Sequence, residues 1–396
     1  MPRPPLEVAD LIRIAGEKFV QRSRKWFRGQ HLKVLNAIER CRTAALGGHL
    51  DECSRCGHRA ISYNSCRNRH CPKCQATARD RWLAARTQEL LPTPYVHVVF
   101  TLPHQLAPLA LQNKKVIYAL LFRTSAQTLL EIARDPKHLG AEIGFFTVLH
   151  TWNQKLEHHP HVHCVIPAGG LSHDHTRWVP SRYSFFLPVK VLGRVFRGKF
   201  VAALKRASTD GELTFHGKLT FLAQPKAFSA WLRQLFRHDW VVYAKRPFGG
   251  PEHALRYLGG YTHRVAISNH RLVAFADEKV TFRWRDSAHK NKKRLMTLPV
   301  DEFLRRFFLH LLPRGFVRIR HFGFLANRRR ATLLPLCFHL LRTPAPSVTA
   351  PPVSTADPAT ASWNCPQCGG PMIVIERLTT AQIRLRSPPV LATAIP

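Results

Sequence analysis

Acidic side chains are scarce in this sequence: 24 Asp and Glu stand against 60 Lys and Arg in 396 residues, a formal net charge of +36. Such a surface attracts polyanions. The basic residues run from Arg22 to Arg330 among aromatics and leucines instead of gathering in a tail. The folded body itself is therefore the expected binding surface, with nucleic acid ahead of an anionic membrane or a merely solvated basic face. Long apolar runs are missing too, since no stretch reaches the roughly 18 residues that a membrane-spanning helix needs. The amino-terminal "MPRPPLEVADLIRIAGEKF" carries Glu7 and Asp10 where a signal peptide would need its apolar region. A soluble intracellular protein with no membrane partner is expected. There is no internal repeat.

Ten cysteines are present, and six of them fall between Cys41 and Cys74, too local for a disulfide framework in a chain of this size. Metal ligation accounts for them better. Cys53-x2-Cys56 and Cys71-x2-Cys74 are separated by fourteen residues. Two such short loops, each presenting two sulfurs to one point, make a tetrahedral four-cysteine structural Zn2+ site. Cys41, His49, Cys66 and His70 are left over and offer either a second site or packing around the first. "NCPQCGG" near the carboxyl end supplies Cys365 and Cys368, half of a further zinc knuckle with no second pair after it.

Residues 6–46 read as helical, and a further helix is predicted in "QATARDRWLAARTQELL", ending before Pro92. The period then changes: "YVHVVFTL" is a strand closed by Pro103, and residues 105–135 are helical again. "EIGFFTVLHTW" and "HVHCVIPAGG" are strands joined by "NQKLEHH" as an antiparallel hairpin. "FSAWLRQLFRHDWVVYAKRPF" and "HALRYLGGYTHR" suggest helix or mixed structure, and "RVAISNHRLVAF" with "KVTFRWRD" a second hairpin. "PVDEFLRRFFLHLL" is a helix with Pro299 and Asp301 at its start and Pro313 beyond its end. Residues 343–362, rich in Pro, Ala, Ser and Thr, read as a disordered linker.

In "HHPHVHCVIPAGG" (158–170) imidazoles crowd the start of a buried strand. If "HVHCVI" is extended, His161 and His163 share one face while Val162 and Cys164 share the other. Two imidazoles side by side above a sheet suit a divalent ion; in a chain with 23 histidines they also suit a local surface excess. If the hairpin turns symmetrically about residues 156–157, His150 lies opposite His163 and offers a third ligand, with Gln154 and His104 as alternatives. His158 and His159 are expected in the turn or at phosphate.

A basic chain with a four-cysteine zinc signature, a His-apolar-His strand and, downstream, "RYLGGYTHRVAISNHRL" with two tyrosines four apart resembles the insertion-sequence-91 family of rolling-circle transposases. That family belongs to the nucleases known for a His-hydrophobic-His motif. The resemblance extends over roughly residues 20–335 and includes "SCRNRHCPKCQ", "FTLPHQL", "HTWNQKLEHHPHVH" and "LPRGFVRIRHFGFLANRRR". It implies an α+β fold: an N-terminal helical and zinc-ribbon-like domain (1–90), a central catalytic antiparallel sheet with helices (91–335), and a disordered tail with the half knuckle (336–396). It also implies a bacterial, nucleoid-associated cytoplasmic protein that cleaves and transfers single DNA strands.

In that class a tyrosine attacks a phosphodiester, forms a 5′-phosphotyrosine link and leaves a free 3′-hydroxyl. The resemblance makes Tyr257 and Tyr261 the candidate nucleophiles, and gives His161 and His163 a catalytic Mg2+ or Mn2+ that polarises the scissile phosphate. A phenol with a pKa of about 10 needs such an activated electrophile or a nearby base. The phenol ester keeps the bond reactive for resealing without ATP, in keeping with the lack of a GxxxxGK[ST] loop. On a helix the two rings would share a face, but Gly259 and Gly260 weaken a helix and can instead admit DNA close to the backbone.

Single-stranded element ends and target DNA are the expected partners, with no small-molecule cofactor. Arg67 and Arg69 near the zinc, Lys290, Lys292 and Lys293, and Arg318, Arg320, Arg328, Arg329 and Arg330 interleave with aromatics, as neutralisation with base stacking requires. The alternatives are a rolling-circle replication initiator with the same chemistry and a zinc-dependent DNA-binding regulator without catalysis.

Overall fold

The computed structural model describes residues 4–181, 187–248, 259, 265–286, 289–342 and 363–386. Helices α1 (Val8–Arg22) and α2 (Gly29–Arg40) open the chain. In α1 Val8, Leu11, Ile12, Ala15 and Phe19 recur at helical spacing and bury one face. Its start is tied off by the Glu7 amide, which donates to Asp10 Oδ2 at 2.9 Å. The hairpin β1 (Gly48–Cys53) and β2 (Arg59–Tyr63) follows, then α3 (Pro72–Thr87), whose first helical residue is a proline that loses no hydrogen bond there.

The middle of the chain alternates strands and helices. After β3 (Tyr95–Thr101) come α4 (Ala107–Gln112) and α5 (Lys114–Arg134), then the hairpin β4 (Gly144–Trp152) and β5 (His158–Pro167). Short strands β6 (Gly169–Leu171) and β7 (Trp178–Pro180) pair with each other before α6 (Val189–Thr209), α7 (Pro225–Gln234) and β8 (Val242–Phe248). Strands β9 (Leu272–Ala276), β10 (Lys279–Asp286) and β11 (Lys292–Pro299) form a separate three-stranded antiparallel sheet that leads into α8 (Val300–Leu309). The described residues end with β12 (Ile319–Gly323), α9 (Asn327–Leu340), β13 (Trp363–Asn364), β14 (Pro371–Leu378) and α10 (Thr380–Arg386).

Five of these strands make the central antiparallel sheet, in the order β12-β4-β5-β3-β8. Period-two alternation divides its faces. Val96, Val98, Phe100, Phe145, Leu149, Val162, Cys164 and Ile166 point into a core shared with Leu121 and Phe122 of α5 and Phe196 and Phe200 of α6. Truncating a side chain as deep as Phe100 to Ala would cost about 3–5 kcal/mol. Helix α5 alone among the described residues is long and apolar enough to cross a membrane; most of it is buried in this core. The other face carries a smaller apolar cluster of Tyr95, Phe146, Val148 and Val165, and the histidines stand beside it.

Helices α1 and α2 close no core by themselves. Their apolar stripes pack with Val265, Ile267, Phe282, Phe303, Phe307 and Phe308, and Phe27 meets Phe308 edge to face with ring centroids 4.9 Å apart. A buried ion pair of 2.7 Å between Lys73 and Glu7 joins the start of α3 to the start of α1. The carboxyl-terminal segment expected as a tail contributes strands: residues 363–386 fold back, and the second sheet runs β13-β14-β1-β2. There Trp363 Nε1–H donates to Oδ2 of the fully buried Asp51 at 2.8 Å.

Candidate metal centre and nucleic-acid cleft

His150 on β4 and His161 and His163 on β5 each offer a ligand atom within 4.8 Å of the others. The expected alternation holds: Val162 and Cys164 enter the hydrophobic core while His161 and His163 face away from it. The register differs from the symmetric turn by two residues, because His150 pairs with His161 and Val148 with His163. The cause is the turn itself. Asn153 Oδ1 accepts from the amides of Lys155 and Glu157, and Leu156 takes a φ of +62°, so the chain reverses earlier than residues 156–157. A slip of two preserves the face, and the ring centroids of His150 and His163 lie 4.3 Å apart.

The ring orientations are prepared by neighbours. His161 Nδ1 lies 2.7 Å from the His159 carbonyl oxygen. A carbonyl only accepts, so Nδ1 carries the proton and Nε2 keeps its lone pair for a metal. His163 Nδ1 is 2.8 Å from Nε2 of buried His97 on β3. When His163 presents Nε2 to a cation, its Nδ1–H donates to His97, which fixes the tautomers of both rings. Burial pushes the His161 imidazolium down to about 4 and lowers that of His163 well below the ordinary histidine value. Both rings are neutral at pH 7, and no proton competes with a metal there. His97 was not among the expected ligands; its signal is a lone polar residue inside "YVHVVF".

Of the alternative third ligands, His104 is exposed on a turn after β3, and Gln154 lies in the β4–β5 turn and lines the same cleft as the histidine trio. His158 and His159 are both on β5. His158 Nε2 is 2.8 Å from the hydroxyl of buried Tyr118 and serves the core.

The trio opens into a cleft of about 610 Å³ whose walls include Trp152, Gln154, Lys155, His159, Trp284, Arg285 and His289. Its far wall is the three-stranded sheet, held to the β4–β5 turn by Arg271, whose guanidinium donates to the carbonyls of Gln154 at 2.5 Å and Arg283 at 2.7 Å. Lys155 Nζ lies 4.8 Å from the centre of the Trp284 ring.

Tyr257 and Tyr261 lie outside the described residues. Between them, Gly259 sits against α3: a β-carbon there would stand 2.9 Å from Leu83 Cδ1. The close approach that glycine permits at this position is to a helix of the same chain. Trp82, next along α3, packs edge to face on Phe146 of the central sheet, on the histidine side.

The cysteines group differently from the spacing-based expectation. Cys41, Cys66, Cys71 and Cys74 form one tetrad; Cys53, Cys56, Cys365 and Cys368 form another. Cys53 and Cys56 therefore do not join Cys71 and Cys74. The β1–β2 hairpin separates them, since Cys53 is at its tip and the Gly48–Tyr63 pair at its base, about 17 Å apart at ~3.4 Å per residue. His49 and His70 are absent from both tetrads. His70 Nε2 accepts from the Leu312 amide at 3.2 Å and its Nδ1 is 3.2 Å from Asn68 Oδ1, so it braces the loop that carries Cys71.

In the first tetrad Sγ–Sγ distances are 3.5 Å for Cys41–Cys74 and 3.6 Å for Cys66–Cys74. Four sulfurs about 2.3 Å from a zinc ion stand about 3.8 Å apart along tetrahedron edges, and a disulfide needs about 2.05 Å. The donor set fits zinc. Hydrogen bonds from Cys41 and Cys66 hold the Cys74 thiol well below the ordinary range, a thiolate ready for the ion.

Of the ten basic residues expected at DNA, several have protein partners. Arg69 donates to the carbonyls of Phe316 and Pro313 at 2.6 and 2.7 Å. Arg320 lies 4.4 Å from the Phe122 ring centre, Arg329 pairs with Glu142, and Arg330 with Glu89 at 3.1 Å. Burial pulls the Arg318 guanidinium down to about 9. Arg67, Lys290, Lys292, Lys293 and Arg328 are exposed and remain available to phosphate.

Residues 11–102 match the family model described as "Transposase zinc-binding domain", and residues 144–332 match the model described as "Putative transposase". Over 384 residues the chain is 52% identical to "Putative transposase y4qJ" of Sinorhizobium fredii, covering 95% of this chain and 96% of that protein. It is 28% identical over 368 residues to the transposase for insertion sequence element IS801 of Pseudomonas savastanoi pv. phaseolicola, covering 88% of this chain and 84% of the relative.

Proposed function

Because the chain belongs to the insertion-sequence-91 family of transposases, which act on DNA, we propose that it cuts and rejoins single-stranded element ends through a tyrosine, in rolling-circle transposition. The observation that carries this reading is the trio His150, His161 and His163 at the foot of a cleft whose walls hold Trp284, Lys155, Arg271 and Arg285 beside the carboxylates Glu157 and Asp286. His161 and His163 would hold a divalent ion with His150 as the third donor, and that ion supplies Lewis-acid polarisation of the scissile phosphate. Three imidazole nitrogens suit Mn2+ better than Mg2+, which prefers oxygen and water.

The remaining work falls to the chain. Trp284 and Lys155 stack a base and hold phosphate so that one phosphodiester lies over the histidines, while Trp152, buried and stacked on His150, backs that ring. The hydroxyl oxygen of Tyr257 or Tyr261 then attacks phosphorus and gives up its proton to solvent. The bond to the 3′-oxygen breaks, that oxygen takes up a proton as the 3′-hydroxyl, and the 5′-phosphate stays on the tyrosine. Attack by a later DNA hydroxyl reverses the exchange and joins strands without ATP.

Labelled single-stranded element-end oligonucleotide incubated with the protein and Mn2+ is expected to give a covalent protein–DNA adduct resistant to boiling in detergent. Leaving out the Mn2+ should abolish the adduct and leave binding in place, with the structural zinc untouched. Tight DNA binding with no adduct under any divalent ion would instead indicate a DNA-binding regulator.

A further inference from the structure

We propose that a second zinc ion is bound by Cys53, Cys56, Cys365 and Cys368, and that it fastens the carboxyl-terminal segment to the amino-terminal zinc-binding domain. The zinc-binding match ends at residue 102 and contains only half of this tetrad. The proposal is independent of the strand-cleavage chemistry.

The two Cys-x2-Cys turns are built alike although they lie far apart in sequence. In the first, the Gly57 amide donates to the Cys53 carbonyl at 3.0 Å and the Arg55 amide donates to Cys53 Sγ at 3.4 Å. In the second, the Gly369 amide donates to the Cys365 carbonyl at 2.9 Å and the Gln367 amide to Cys365 Sγ at 3.4 Å. Gly57 and Gly369, each following the second cysteine of its turn, share a φ of +70°, a left-handed conformation that glycine adopts without strain. Amide hydrogens aimed at sulfur prepare it for the negative charge of a metal-bound thiolate.

The turns are then brought face to face. Strand β14 pairs with β1 so that Met372 lies opposite Cys53, and the Ser54 amide donates to the Pro371 carbonyl at 3.1 Å. Across the gap Cys53 Sγ is 3.5 Å from Cys368 Sγ and Cys56 Sγ is 3.7 Å from Cys365 Sγ. Those are again tetrahedron edges about a zinc ion, well beyond disulfide bonding. Gly370 closes the site: its amide donates to Cys368 Sγ at 3.4 Å, and a β-carbon there would stand 3.2 Å from both Cys53 Sγ and Cys368 Sγ.

Cadmium-113 substituted into the full-length protein tests the site by its donors, which separates it from any ion on the histidines. The parent is expected to show two resonances in the all-sulfur region, each integrating to one ion per chain. Cys365→Ser with Cys368→Ser should remove one, and Cys41→Ser with Cys66→Ser the other. A single all-sulfur resonance in the parent, or two surviving in the Cys365/Cys368 variant, overturns the proposal. Should the serine variant precipitate, Cys368→His decides. One resonance should move to the region of three sulfurs and one nitrogen, and two unmoved resonances contradict the assignment.

Discussion

Replacing His163 with Ala is expected to lower DNA cleavage by about 10³-fold or more while changing affinity for the same oligonucleotide by less than about threefold. The two quantities have different sources. In the proposed mechanism polarisation of the phosphate would contribute several kcal/mol to the transition state, and about 4 kcal/mol corresponds to 10³ in rate. Affinity is expected to come from phosphate neutralisation on a chain of net charge +36, which the substitution leaves in place. His161→Ala should behave alike. His97→Ala should be milder, with metal affinity falling about 10–100-fold, because His97 holds the His163 ring and leaves the donor in place. Single-turnover cleavage with a parallel binding titration reads all three variants. Parent-level cleavage by the His161/His163 double variant would remove the role assigned to that pair.

Cys74→Ser is expected to cost the first zinc ion and, with it, the fold of the amino-terminal helices. Cys74 lies within 3.6 Å of both Cys41 and Cys66 through sulfur, so its loss opens two edges of the tetrad. Zinc contributes ~10–16 kcal/mol to small zinc units, as much as or more than the ~5–15 kcal/mol that keeps an ordinary domain folded. The tetrad draws together the end of α2, the loop at Cys66 and the start of α3, and Cys41, Cys71 and Cys74 belong to the same buried cluster as α1 and α8. Elemental analysis should show zinc lost, and circular dichroism should show lower helix content with an earlier first melting transition. Full zinc content in Cys74→Ser would exclude the tetrad.

Local periodicity carried most of what could be read from the chain. Alternation in "HVHCVI" placed His161 and His163 on one face because a buried strand leaves only two faces to choose between. His150 stands on the expected face despite a register error of two residues for the same reason: a two-residue slip cannot be seen in a pattern of period two. The cysteine partners were hidden because any four of eight sulfurs satisfy zinc, and the choice is made by a hairpin that sets Cys53 and Cys56 at its far end. Cys365 looked unpaired because its partners precede it by about three hundred residues and meet it only through the β1–β14 ladder. Charge counting likewise cannot distinguish Arg67, exposed to solvent, from Arg69, whose guanidinium is taken up by two carbonyls.

Peptide mapping of the covalent adduct tests the tyrosine chemistry most directly. Trypsin, cutting after Arg256 and Arg264, releases Tyr257 and Tyr261 together in one eight-residue peptide. After nuclease trimming, that peptide is expected to carry the mass of a 5′-nucleotide, and fragmentation should assign it to one tyrosine or to both in separate molecules. Tyr257→Phe with Tyr261→Phe removes only the attacking oxygens and keeps the rings. The double variant should form no adduct while retaining its zinc and its affinity for DNA. Parent-level adduct in the double variant, or a nucleotide on any other residue, would contradict the mechanism.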